Sequence, residues 1–243
     1  MTSTPHRPGE PLRPLDLAAT LSAALGRRGD ASDSLRPAPE DWHRQRFEQR
    51  PRRLVLFVVD TSDSMGDGPE IRMQTALGAA ASLAGQAYLN RDQVALITFR
   101  DRTATLAVPP TGSVQRVRDR LRRLAVGGAT PLADGLRLAV TTFRQARRKD
   151  PALEAALILI SDGEATVPLQ RGGDPATDCL TVARELCRDG VRSLLIDTGS
   201  TLPHDSLLPR LATILGGRWQ RLHELSTRDI LRLLDQPPGR TTP

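Results

Sequence analysis

From Leu54 onward the chain alternates between two kinds of block. LVLFVVD (54–60) is an unbroken apolar run that closes on an acid, the pattern of a strand buried on both faces. QVALITF (93–99), ALILIS (156–161) and VRSLLIDT (191–198) repeat it, and GRWQRL (217–222) predicts a short strand. TATLAVP (103–109) alternates apolar and polar positions instead, which predicts an edge strand after a short turn. Between these runs the apolar residues fall at helical spacing. The stripes are Met73, Leu77, Ala80, Ala84 and Ala87 within 70–90, then Val114, Val117, Leu121 and Leu124 within 113–124. Leu132, Leu136, Val140 and Phe143 mark a helix over 131–148, and further helices are predicted at 176–189, 205–216 and 226–235. Strands too apolar to face water, alternating with helices, define an α/β domain: a doubly wound, mostly parallel sheet with helices on both faces.

Residues 1–53 break this rhythm. Residues 1–13 are proline-rich and predict disorder, 14–25 carry apolar spacing for a short helix, and 26–40 return to a Gly/Pro/Ser/Asp linker. The expected organisation is therefore a flexible segment with a short helix (1–40), a basic lead-in arm (41–53), the α/β domain (54–236) and a disordered tail (237–243). The stretch 43–53 holds five arginines against one glutamate. It reads either as a solvated, helical lead-in or as a docking arm for an acidic partner, with Arg44, Arg46 and Arg50 as its contacts. The polar face of 113–124 poses the same choice through Arg116, Arg120 and Arg123.

Composition narrows the function classes. The 243 residues are 39% hydrophobic and 26% charged, enough apolar material for a buried core. A net charge of +6 raises nucleic acid as a partner, yet aromatic residues are only 3% and no recognised binding module accompanies the charge, so that class is disfavoured. All but one of the 34 basic residues are arginine, a bias that GC-rich coding alone explains. No apolar run approaches the ~20 residues of a membrane span, and the N-terminus lacks an apolar signal core, so a cytoplasmic protein is expected. Cys179 and Cys187 sit eight residues apart on one predicted helix, ~12 Å at 1.5 Å per residue, too far for a disulfide; both are expected to be buried thiols.

In open parallel sheets ligands bind at the carboxyl ends of the strands. Three polar clusters fall there: Asp60-Thr61-Ser62-Asp63-Ser64, Gly127-Gly128-Ala129-Thr130-Pro131 and Ser161-Asp162-Gly163. Together they offer two carboxylates, Asp60 and Asp162, and three hydroxyls, Ser62, Ser64 and Thr130. These are hard oxygen donors of the kind Mg²⁺ prefers, and two carboxylates offset its charge while hydroxyls add coordination without adding charge. Capping of the following helix by Asp and Ser is the alternative for the first cluster alone. A phosphatase with a strand-end nucleophile would need a second Asp where Ser62 stands. A serine hydrolase would need a histidine partner and a G-x-S-x-G turn, and no such turn occurs.

The D-x-S-x-S of 60–64, the Thr in GGATPL and the SDG after a strand resemble the metal-ion-dependent adhesion site of von Willebrand factor A (vWA, integrin I-like) domains. FVVDTSDSM, QAYLNRDQVALITFR, VPPTGSV, GGATPLADGL and LILISDGEATVPL are similar to the C-terminal domain of magnesium chelatase D subunits and related cobaltochelatase subunits, over roughly 40–235. The resemblance implies a sheet of six strands with one antiparallel edge strand. It also implies a metal, Mg²⁺ or Mn²⁺, held by Asp60, Ser62, Ser64, Thr130 and Asp162, with an open position for a partner's Glu or Asp. The implied partners are an AAA+ ATPase subunit and a large porphyrin- or corrin-binding chelatase subunit; an alternative is a different AAA+ ATPase in complex assembly or stress response. The family usually has Gly where Asp63 stands. Its larger subunits also carry an AAA+ module and an acidic, proline-rich linker, whereas this sequence has no G-x-x-x-x-G-K-[ST] loop. The expectation is a non-catalytic interaction module as a separate polypeptide.

Overall fold

The computed structural model describes residues 2–5, 16–26, 37–46, 52–63, 78, 92–124, 127–199 and 206–222. The chain divides into two compact units, residues 1–50 and 51–243. In the first, β1 (Thr2–Pro5) pairs antiparallel with β2 (His43–Arg46), Thr2 opposite Arg46 and Pro5 opposite His43. Helix α1 (Leu17–Gly26) begins where the Asp16 carboxylate accepts from the Ala19 N–H at 3.1 Å, an N-cap bond. The Thr20 hydroxyl accepts from the His43 amide at 3.0 Å, fixing α1 against β2. Leu17, Leu21 and Leu25 of α1 are exposed.

Two expectations are corrected here. The lead-in is extended rather than helical over 43–46, and residues 2–5, expected to be disordered, form its partner strand. A run of arginines carries no period that separates helix from strand, and the pairing joins segments forty residues apart. The side chains of Arg44 and Arg46, like Arg50, lie outside the described residues.

The second unit is a six-stranded sheet built from β3 (Arg53–Asp60), β4 (Gln93–Arg100), β5 (Thr103–Thr111), β6 (Glu154–Ser161), β7 (Arg192–Asp197) and β8 (Arg218–Arg221). Their order across the sheet is β5-β4-β3-β6-β7-β8. All neighbours are parallel except β4 and β5, which are antiparallel, so the alternating strand forms the antiparallel edge. Central β3 shows why its run is unbroken: successive side chains point to opposite faces, and both faces are covered. Leu54, Leu56 and Val58 join one core with α3 (Leu132–Lys149), α4 (Pro175–Arg188) and α5 (Leu208–Leu215). Val55, Phe57 and Val59 join the other with Val114, Val117 and Leu121 of α2 (Val114–Leu121).

All four apolar positions expected to anchor 131–148 are buried in α3. The predicted helices at 70–90 and 226–235 lie outside the described residues, apart from Gly78. Of the two cysteines on α4, Cys179 is buried and its thiol is pushed up to about 12 by that burial, whereas Cys187 is exposed. Eight residues at about 100° per residue turn Cys187 roughly 80° off the buried face, which corrects the expectation of two buried thiols. No described helix is long and apolar enough to cross a membrane.

Candidate metal centre

The parallel strands deliver their last residues to one edge of the sheet. Asp60 ends β3, Ser161 ends β6 beside it, and Asp197 ends β7 opposite Ser161. Asp60 is wholly buried. Its Oδ1 accepts from the Ser62 N–H at 2.9 Å, which folds the chain into a tight turn off the strand, and its Oδ2 accepts from Ser161 Oγ at 2.8 Å. Ser161 Oγ in turn accepts from the Gly163 N–H at 3.1 Å. Thr61 donates from both its N–H (3.1 Å) and its hydroxyl (3.2 Å) to the Phe99 carbonyl on β4, so the turn is anchored on its other side as well.

Backbone bonds then join three loops. Gly127 N–H donates to the Thr61 carbonyl and Asp63 N–H to the Gly128 carbonyl, both at 2.9 Å. Thr130 and Thr166 close the third side: the Thr130 N–H donates to the Thr166 hydroxyl at 2.8 Å, and the Thr166 N–H returns to the Thr130 carbonyl at 3.1 Å. Asp162, next after Ser161, accepts from the Glu164 N–H at 3.0 Å. Glycine is required at two of these bends. Gly128 has φ +86° and Gly163 has φ +83°, and a Cβ on Gly163 would lie 2.2 Å from Ser206 Oγ. Asp60, Ser62, Thr130 and Asp162 are thereby brought to one edge; Ser64 lies outside the described residues.

Electrostatics mark Asp60 out. Burial raises its pKa from the ordinary 3.8 to about 6, against the hydrogen bonds from Ser62 and Ser161, and the nearby Asp162 charge raises it further. Among the described residues no basic side chain pairs with it. A buried carboxylate beside a second carboxylate, without a counter-charge, has the chemistry of a cation site. Among the described residues no three His, Cys, Asp or Glu side chains gather to hold a metal, so a cation here depends on the hydroxyls of Ser62 and Thr130 as well as on the two acids. That donor set suits a hard ion such as Mg²⁺ or Mn²⁺ and not a soft one.

Sequence reasoning passed over two contributors and a further strand-end acid. Ser161 was visible in the SDG cluster, but its role, donating to the buried acid, follows only from the β3–β6 pairing. Thr166 lies in irregular chain and gave no periodic signal. Asp197 follows an apolar run just as Asp60 does. It accepts from Gly199 N–H (2.8 Å) and Trp219 Nε1 (3.2 Å), and burial raises its pKa.

Comparison with known proteins places this architecture. A family model described as von Willebrand factor type A domain matches residues 55–164. The isolated vWF domain of the Porphyromonas gingivalis pili tip protein Mfa5 superposes with a TM-score of 0.58 at 13% identity, covering 79% of this chain and 98% of that one. PTMP1 from the mussel byssus, solved with a zinc-occupied MIDAS motif, superposes at 0.55 with 19% identity, over 75% of this chain and 45% of its own. The chain carries a von Willebrand factor type A domain.

Its sequence relatives are more particular. It is 38% identical over 202 residues to the magnesium-chelatase 60 kDa subunit of Cereibacter sphaeroides, covering 79% of this chain and 35% of that subunit. Rv2850c of Mycobacterium tuberculosis is 39% identical over 211 residues, 87% of this chain and 32% of its own. MJ0910 of Methanocaldococcus jannaschii is 31% identical over 161 residues, 66% of this chain but 91% of its own length. The chain is thus related to magnesium-chelatase subunits, and spans about a third of the length of the first curated relatives it matches.

Proposed function

We propose that the chain is a non-catalytic, metal-dependent protein-interaction module. Asp60, Ser62, Ser64, Thr130 and Asp162 hold Mg²⁺, or Mn²⁺, directly or through water, and a partner's Glu or Asp completes the coordination. The observation that carries this reading is Asp60: a wholly buried carboxylate, raised to about 6, with a second acid nearby and no described basic partner. The bound ion supplies the positive charge that this pair lacks. Two acids balance a divalent cation, and a water-excluding interface strengthens the bond to a third.

The relationship to magnesium-chelatase subunits supports an AAA+ ATPase subunit as the partner, together with a large porphyrin- or corrin-binding subunit. In this reading the module is a vWA component of an ATP-driven chelatase that inserts magnesium or cobalt into a tetrapyrrole in the cytoplasm. The basic arm, with Arg44, Arg46 and Arg50, adds long-range steering toward an acidic surface. A second reading has one observation in its favour. MJ0910 is matched over 91% of its length, so the domain also makes up most of a relative without a chelatase name. There the module would serve another AAA+ ATPase in assembly or stress response.

Capture of the AAA+ subunit from the native lysate tests the proposal in three conditions: with Mg²⁺, with EDTA, and with Ser62→Ala in Mg²⁺. Retention only in the first is expected. Equal retention in all three would make the metal irrelevant to the interface, and capture of an ATPase unrelated to tetrapyrrole metallation would favour the second reading.

A further inference from the structure

The antiparallel edge of the sheet carries a second charged feature, away from the buried acid. Between β5 and α2 runs an open groove of about 390 Å³, lined by Ala107, Val108 and Pro109 on the strand side and by Arg116, Asp119, Arg120 and Arg123 on the helix side. Arg116 and Arg120 lie one turn apart on α2, and Arg123 follows in the turn just past its end, where its N–H donates to the Arg120 carbonyl at 3.1 Å. All three are exposed, and among the described residues none makes an ion pair. Asp119, the acid in the groove, is engaged at 2.8 Å by Gln115 Nε2. One acid against three guanidinium groups leaves the groove strongly positive. The apolar floor of Ala107 and Val108 gives a bound segment something besides charge to rest on.

The strand side restricts how the groove is used. Pro109 and Pro110 have no N–H to offer, so this stretch of the sheet edge does not template a further strand along its length. Recognition therefore falls to the guanidinium groups. Each is a planar fork matched to carboxylate, and the 116-to-123 spacing covers about 10 Å, three residues of extended chain. Connectivity gives the groove a direction. The chain leaves β5 opposite Val94, near the start of β4, and must return by α2 to Gly127, which bonds Thr61 at the other end of the strands. Arg123 thus lies at the end of the groove nearer the acid-bearing loops, and Arg116 at the far end.

We propose that this groove binds an extended acidic segment of a partner protein, with successive carboxylates on Arg123, Arg120 and Arg116. The groove rests on its own residues and needs no metal.

Fluorescence anisotropy with a labelled decapeptide of alternating Glu and Thr, at physiological salt, tests it. Wild-type protein should bind, and the variant carrying Arg116→Glu, Arg120→Glu and Arg123→Glu should lose at least tenfold in affinity. A control with equal charge change at exposed positions of α4 and its preceding loop (Arg171→Glu, Arg184→Glu, Arg188→Glu) should lose less than threefold. The Gln/Thr analogue should not bind, and EDTA should change nothing. Unchanged binding by the groove variant, equal loss in the control, or no binding by wild type would overturn the proposal. So would a single-stranded DNA dodecamer that displaces the peptide and binds more tightly through the same arginines, which would make the groove a phosphate-backbone site. Because the peptide arm is insensitive to EDTA, its failure is separable from failure of the metal-dependent capture.

Discussion

Asp60→Asn is expected to weaken Mg²⁺ binding on the order of 100-fold, equivalent to about 3 kcal/mol, with the fold intact. The reason is charge rather than shape. Asparagine keeps a carbonyl oxygen for the Ser62 N–H, and its amide donates to Ser161 Oγ, which can accept where it previously donated. What disappears is the one wholly buried negative charge at the strand ends among the described residues. Asp162→Asn should act in the same direction, since its charge already reaches Asp60. Asp63→Asn should change affinity by less than about threefold: the side chain is exposed, and it is the Asp63 N–H that bonds the Gly128 carbonyl. Isothermal titration with Mg²⁺ checks the series. Undiminished binding in both the Asp60 and Asp162 variants would reject the ligand assignment, and the largest loss at Asp63 would move the ion to the solvent side of the loop.

Stability should invert with the metal. In EDTA at neutral pH, Asp60→Asn is expected to be more stable than wild type, because wild type must hold an ionised carboxylate where burial opposes it. The folded-state pKa of about 6 lies above the ordinary 3.8 of the unfolded chain. The folded protein therefore binds the proton more tightly between these values. The contribution of Asp60 is fully present below about pH 4 and is lost as pH rises to about 6, a change on the order of 3 kcal/mol. Saturating Mg²⁺ should reverse both trends. At a hundredfold excess over the dissociation constant a ligand of the folded state adds about 3 kcal/mol. That gain belongs to wild type and requires ionised Asp60, so it should fade below about pH 6. Thermal melts of the two proteins from pH 4 to 8, with EDTA and with Mg²⁺, check this. Wild type more stable than the variant in EDTA at neutral pH would show that the carboxylate is stabilised without a cation.

Much of this arrangement was legible because a few residues report on their surroundings. The run 54–60 admits only a strand covered on both faces, and an acid closing such a run lies where parallel sheets bind ligands. Thr130, seventy residues further on, was readable only through its resemblance to a known motif, since nothing in local spacing joins GGATPL to Asp60. The bonds that do join them, Gly127 to Thr61 and Asp63 to Gly128, are between backbone groups and leave no mark on side-chain identity. Thr166 was invisible for a related reason: it acts on Thr130 from irregular chain. The lead-in defeated pattern reading because five arginines satisfy a helix surface and an exposed strand equally well. The arginines of 116–123 were legible as a charged face. That Arg116, Arg120 and Arg123 line one groove with β5 follows only from the antiparallel edge.

The most direct test of the central claim, a divalent cation on Asp60, Ser62, Thr130 and Asp162, is anomalous diffraction from crystals grown in Mn²⁺. One strong peak among the side chains of these four residues is expected in wild type, and none there in Asp60→Asn grown identically. A wild-type crystal whose manganese peaks all lie elsewhere, or a peak at these residues that survives Asp60→Asn at full height, would contradict the account.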